Sequence, residues 1–244
     1  MRKRAYSGAG EGDEAPSPTL ARRAVAEAVG TALLVAAVVG SGIMAERLSG
    51  GNTGVALLAN SLATGGALVA LILAFGGISG AHFNPVVSLV GGAAGELTAA
   101  AVVAYAAGQF GGAVAGVVSA NLMFGEPAVA WSHHARSGLP QAFGELVATF
   151  GLVATIIGCA RQRPDAVPFA VAAYIVGAYW FTVSTFFANP AVTVARALTD
   201  TFTGIRPQDV PLFVAAQLAG GAAAAALFRW LLPQDRTVMV RAAG

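Results

Sequence analysis

From Leu48 to Gly95 the chain carries no Asp, Glu, Lys or Arg. A helix needs about 20 apolar residues to cross the hydrocarbon of a bilayer. At about 1.5 Å of rise per residue this window would reach roughly 72 Å as one helix, far too long for a single crossing. It fits one full span followed by a segment that enters the membrane and turns back. A second long window, Ala166 to Ala195, has the same shape, and both contain an Asn-Pro pair near the end. Shorter uncharged windows run from Ala28 to Ala45, Leu97 to Gly125, Leu146 to Ala160 and Val210 to Phe228. The expected fold is an all-α membrane protein of six transmembrane helices plus two re-entrant half-helices. Only 11% of the 244 residues are charged, against about a quarter in a soluble domain.

Lys and Arg in the loops set the orientation. With an even number of spans both termini share one side. On that side fall Arg2, Lys3, Arg4, Arg22, Arg23, Arg161, Arg163, Arg229, Arg236 and Arg241, with Arg47, Arg136, Arg196 and Arg206 opposite. Both termini are therefore expected in the cytoplasm. The net charge of +2 follows from this sidedness and gives no reason to expect nucleic acid as a partner. Residues 1–19 are polar and lack an apolar stretch before a cleavage site, which reads as a disordered tail rather than a signal peptide. Residues 20–232 form the membrane domain, and 233–244 a second cytoplasmic tail.

The chain repeats itself. Glu27 and Thr31 in "EAVGT" match Glu145 and Thr149 in "ELVAT", "NPV" at Asn84 matches "NPA" at Asn189, and "QFGG" at Gln109 matches "QLAG" at Gln217. The first unit runs over about 20–120 and the second over about 141–232. Three spans per unit is an odd number, so the second unit enters the membrane upside down. Such inverted repeats place a solute path between the halves near the midplane.

The Asn-Pro pairs follow from helix chemistry. Asn is a favoured N-cap, and Pro suits the first helical position because its missing N–H would have no partner there. Asn84, Pro85 and Val86, and Asn189, Pro190 and Ala191, therefore start helices. Inside a membrane such starts are tolerated only where protein buries them or they line a wet cavity. Two positive helix ends facing one point repel cations, while the Asn amides offer hydrogen bonds to neutral hydroxyls. Glu27 and Glu145 lie within spans, where a carboxylate is costly. They either brace the non-helical chain leading into each half-helix or sit near a headgroup region.

The paired NP motifs, the two Glu-x-x-x-Thr helices and "SGAHFNP" closely resemble the aquaporin and aquaglyceroporin family. The likeness covers nearly all of Leu20 to Leu232. It implies an aquaporin-like channel, a homotetramer with one pore per subunit, passive conduction and no cofactor or metal. Counted from the two Asn residues, the family's narrowest ring falls on Thr64, Gly177, Phe186 and Val192. The Arg that usually follows the second motif is replaced by Val192, so the ring is expected to be wider and more apolar than in water or glycerol conductors. "TFFANPAVTVARALTDTF" is most similar to bacterial members associated with arsenic resistance. That likeness implies a bacterial inner (plasma) membrane and neutral arsenic species such as arsenite or methylated arsenicals among the solutes. Glycerol, urea, larger polyols and water fit an uncharged ring as well.

Several residues keep two readings. His82 is expected at the cytoplasmic mouth of the pore, with a pH gate as the sharper alternative. Arg196, one turn beyond Val192, either supplies the missing charge by leaning back toward the helix start or pairs with Asp200 at i+4. His133 and His134 read as a solvated loop pair or a metal site, and the Gly108, Gly112 and Gly116 steps as close helix packing. With Cys159 as the single cysteine no intrachain disulfide forms. No nucleophile, base and orienting group come together, so an enzyme is not expected. A passive channel for small neutral solutes leads. A water-selective aquaporin, an ion-coupled transporter and a structural protein with a shut pore are the alternatives.

Overall fold

The computed structural model describes residues 17–232. The expected tails fall outside it apart from residues 17–19. Among the described residues there are eight α-helices and no strand. They are α1 (Leu20–Leu48), α2 (Thr53–Ser79), α3 (Pro85–Ala93), α4 (Ala99–Met123), α5 (Leu139–Gln162), α6 (Val167–Phe181), α7 (Pro190–Ala195) and α8 (Val210–Leu231).

The helices begin where the sequence offers a cap. The Thr19 and Thr98 hydroxyls and the Asn52 amide oxygen each accept the N–H three residues on, satisfying a donor the helix cannot. Helix α2 ends at Gly80 with φ +87°, the left-handed conformation that glycine adopts most cheaply. Helices α1, α2, α4, α5 and α8 are long and apolar enough to cross a membrane, with mean hydropathy between 1.6 and 2.1. Helix α6 has only 15 residues. The 3-10 turn Pro164–Ala166 directly before it brings the pair to roughly 28 Å, close to the hydrocarbon thickness, as a sixth and shorter span.

Packing follows the repeat. Helix α1 lies against α4 and α2, α5 against α8 and α6, and α2 on α6 joins the halves. The half-helices α3 and α7 meet end to end between them. Gly108, Gly112 and Gly116 let α4 settle onto α1. A Cβ on Gly112 would run into the Ala28 carbonyl, and one on Gly116 into that of Ala32. Gly220, three residues after Gln217 as Gly112 is after Gln109, brings α8 against the Leu146 carbonyl of α5 in the same way. Outward faces carry Val25, Leu33, Leu62, Val103 and Phe169, all exposed in this single chain.

The connection between α4 and α5 folds over the end of α7. The N–H groups of Ala130 and Ser132 donate to the carbonyls of Leu198 and Ala197, at 3.0 Å each, and Arg206 N–H donates to the His134 carbonyl. This strap holds one end of the molecule in register with the second half-helix.

Candidate functional site

Each half-helix is reached through a strained turn. Ala81 and Phe83 have φ of 50° and 48°, three residues and one residue before Asn84; Phe186 and Ala188 have φ of 56° and 45° at the matching places before Asn189. Left-handed geometry costs an L-residue about 1 to 2 kcal/mol, so the surroundings must impose it. Two buried carboxylates do so. Glu27 accepts the His82 N–H at 2.9 Å, the Phe83 N–H at 2.6 Å and the Ser79 hydroxyl at 2.6 Å. Glu145 accepts the Phe187 N–H at 2.9 Å and the Ala188 N–H at 2.8 Å. Both are fully buried in the protein, and charge-assisted bonds of this kind are the strong ones.

Two glutamines complete the brace. Gln109 donates to Glu27 and to the Ser88 hydroxyl, at 2.8 and 2.9 Å. Gln217 donates to Glu145 and to the Thr193 hydroxyl. Ser88 and Thr193 each lie four residues after their Asn. In the sequence Gln109 and Gln217 served only as landmarks of the repeat. The signal that would have found their role is that a fully buried amide in an uncharged helix must have a polar partner.

The half-helix starts lock onto each other. The Asn84 amide donates to the Ala188 carbonyl at 2.8 Å and the Asn189 amide to the Phe83 carbonyl at 2.7 Å. Their side-chain oxygens cap the half-helices by accepting from Val86 and from Ala191. An amide nitrogen has two hydrogens, so each Asn keeps one donor beyond its bond to the other half. Both residues line a cavity of about 1160 Å³. It extends from Thr64, Val192 and Arg196 on one side, past the two Asn residues, to Glu96, Arg161 and Arg229 on the other. Pro85, Pro190, Val86 and Ala191 are buried at the helix starts.

Around the Thr64 end of the cavity the structure departs from the count. Thr64, Phe186 and Val192 line the cavity, but Gly177 does not. Helix α6 turns Val171, Ile175, Ala178 and Tyr179 inward, while Gly177 shares the exposed outer face with Ala173 and Trp180. Counting back from Asn189 finds Phe186 but misses at Gly177, because α6 carries Gly177 on its exposed face. Tyr179 stands there instead. Its hydroxyl is 3.2 Å from the Thr64 hydroxyl and its ring stacks on Phe186, with centroids 6.3 Å apart. In place of Gly177, Tyr179 completes this end of the cavity, so that two aromatic rings and a pair of hydroxyls bound it.

Arg196 is 2% exposed and lines the same cavity. It does not pair with Asp200, whose carboxylate instead binds the backbone and ring of His133 at 2.8 and 2.9 Å. These two bonds from His133 hold the Asp200 carboxyl below its ordinary range. No cluster of three or more metal-ligating side chains occurs among the described residues. His82 lines the cavity beyond Asn84, with its Nδ1 3.1 Å from the Ser88 hydroxyl and its ring edge-on to Tyr105.

The profile of the family described as "Major intrinsic protein" matches residues 14–185 and 165–243. The chain is 54% identical over 220 residues to aquaglyceroporin AqpS of Rhizobium meliloti (strain 1021), covering 90% of this chain and 94% of that one. It is 31% identical over 240 residues to the probable aquaporin AqpM of Archaeoglobus fulgidus, covering 87% and 98%. The solved aquaglyceroporin of Plasmodium falciparum superposes with a TM-score of 0.66 at 20% identity, over 86% of this chain and 96% of that one.

Proposed function

This chain belongs to the major intrinsic protein family, and on that premise we propose that it conducts glycerol-like polyols, water and neutral arsenic species passively down their gradients. It is a multi-pass membrane channel of the aquaglyceroporin type and not an enzyme. The single observation that carries the solute class is the pair of Asn84 and Asn189 amides, each with one donor beyond its bond to the other half, on one cavity between two positive helix ends. Such an array replaces part of the hydration of a hydroxylated solute while opposing cations. The acids near this point, Glu27 and Glu145, are occupied by backbone and amide donors, which speaks against an ion-coupled transporter.

The proposed assembly is a homotetramer in a bacterial inner membrane, with one pore per subunit and both termini in the cytoplasm. The exposed apolar outer faces of the single chain and the distribution of basic residues support it. A narrower reading, a water-selective channel, is favoured by the aromatic Tyr179 and the nearby Arg196. Stopped-flow light scattering on proteoliposomes separates the two readings. The aquaglyceroporin reading expects shrinkage followed by rapid re-swelling in glycerol and in arsenite; re-swelling no faster than in empty liposomes, with fast water flux, selects the water channel.

A further inference from the structure

Val192 leaves the position beside the second half-helix start without charge, yet a guanidinium stands on the same cavity. The geometry points to Arg196 as the fixed cation of the constriction, delivered from one helical turn beyond Val192 and held by the ring of Phe187. This inference rests on the channel reading above.

Two arginines meet at Phe187, and they are used differently. Arg136, from the strap between α4 and α5, places its guanidinium carbon 5.0 Å from the ring centroid. Its nitrogens donate to the carbonyls of Gly204, Ser184 and Phe202 and to the Thr185 hydroxyl. It does not line the cavity, and its work is to tie the strap to the segments around α7. Arg196 lies with its guanidinium carbon 3.4 Å from the same centroid. Its Nε donates to the Thr203 carbonyl. The two terminal nitrogens have no protein partner among the described residues, and neither is a sealed, unsatisfied atom. They therefore open onto the cavity that Arg196 lines.

Around Arg196 stand Phe187, Thr203, Tyr179, Arg136 and Glu145; none of its hydrogen bonds is to a carboxylate, and Glu145 is held by the Phe187 and Ala188 N–H groups and by Gln217. A buried cation whose nearest carboxylate is committed to other donors is expensive and marks function when it faces a water-filled path. Residues i and i+4 share a helix face, and side chains lean toward the N-terminus, so Arg196 reaches back over the small Val192. Phe187 is a positioning residue. Its N–H is fixed by Glu145, and its ring meets Phe213 edge-on at 5.2 Å, so the brace of the second half-helix also seats the cation.

The test measures solute flux and ion leak on one preparation. Arg196→Met removes the charge, and Arg196→Gln removes it while keeping a donor for the Thr203 carbonyl. Both are assayed in proteoliposomes for water and glycerol flux by light scattering, and for proton leak with a trapped pH dye under an imposed potential. Proton leak, normalised to the water flux of the same vesicles, is expected to rise about tenfold, equivalent to a permeation barrier lower by about 1.4 kcal/mol. Adding Val192→Arg to either variant is expected to bring the leak back down, because the cation returns to the same ring from the other position. An Arg196→Gln channel that folds, conducts and leaks no more than wild type overturns the inference and leaves Arg196 a loop anchor. Failure of the channel reading appears elsewhere, as wild-type liposomes without solute flux.

Discussion

At the scale of single residues, the two Asn side chains work twice, capping a half-helix with their oxygens and bonding the other half with their amides. Asn84→Asp and Asn189→Asp keep the cap but lose the donor and put a carboxylate on the cavity between the half-helix starts. Each is expected to lower glycerol flux and to admit cations, read by light scattering and by bilayer conductance; unchanged flux and ion exclusion in both would sink the role of the amides. The carboxylates behind them act on stability first. Glu27→Gln and Glu145→Gln weaken bonds to backbone N–H groups worth about 1.5 to 3 kcal/mol each, in exchange for a neutral amide. A lower melting temperature in detergent is expected for both, before any change in solute order. Gln109→Leu and Gln217→Leu are expected to follow them, since each deletes a donor to the same carboxylate.

At the scale of elements, small residues decide how close the helices come. In the first repeat Gly30 of α1 makes room for the Phe83 ring; at the matching places the second repeat carries Ala148 and Ala188, a larger residue on the helix and a smaller one on the turn. Gly112 and Gly220 set the α1–α4 and α5–α8 contacts, where an added side chain meets backbone rather than a movable group. Gly112→Val and Gly220→Val are expected to cost about 1 to 3 kcal/mol or more through overpacking and to reduce the yield of folded protein. Gly111→Ala is the control, because a Cβ there meets nothing within 4 Å. Fluorescence-detected size-exclusion melting compares the three, and equal curves would mean that the close approach carries no stability.

At the scale of the whole molecule, two inverted units enclose a cavity that both of them line, and the proposed constriction is the end lined by Thr64, Tyr179, Phe186, Val192 and Arg196. Val192→Arg brings a second guanidinium beside Arg196. Water flux is expected to persist, glycerol to fall moderately, and larger polyols and methylated arsenicals to fall most, because bulk excludes by size while added donors still serve small solutes. Val192→Leu tests bulk without charge. The order of solutes at matched protein density is the readout; a uniform reduction across all of them would show that position 192 is not a size filter.

Periodicity, charge and repetition are local or one-dimensional, so the sequence by itself determined the membrane class, the half-helix starts at Asn84 and Asn189, and the doubled Glu27 and Glu145. The brace partners were visible only as repeat marks, since what Gln109 and Gln217 bind depends on which helices lie together. Of the proposed constriction, Thr64, Phe186 and Val192 were legible by counting from the Asn residues, while Tyr179 and Arg196 were decided by tertiary structure. Counting from Asn189 put Gly177 on it, but the face a helical residue presents depends on how its helix packs, and α6 carries Gly177 on its exposed face. Arg196 was equally open from the sequence. Its i+4 spacing to Asp200 suits an ion pair on a continuing helix, but after Ala195 the chain passes into a 3-10 turn and then extends at Thr199. Asp200 is thereby carried to His133, and the guanidinium is left to the ring of Phe187 and the cavity.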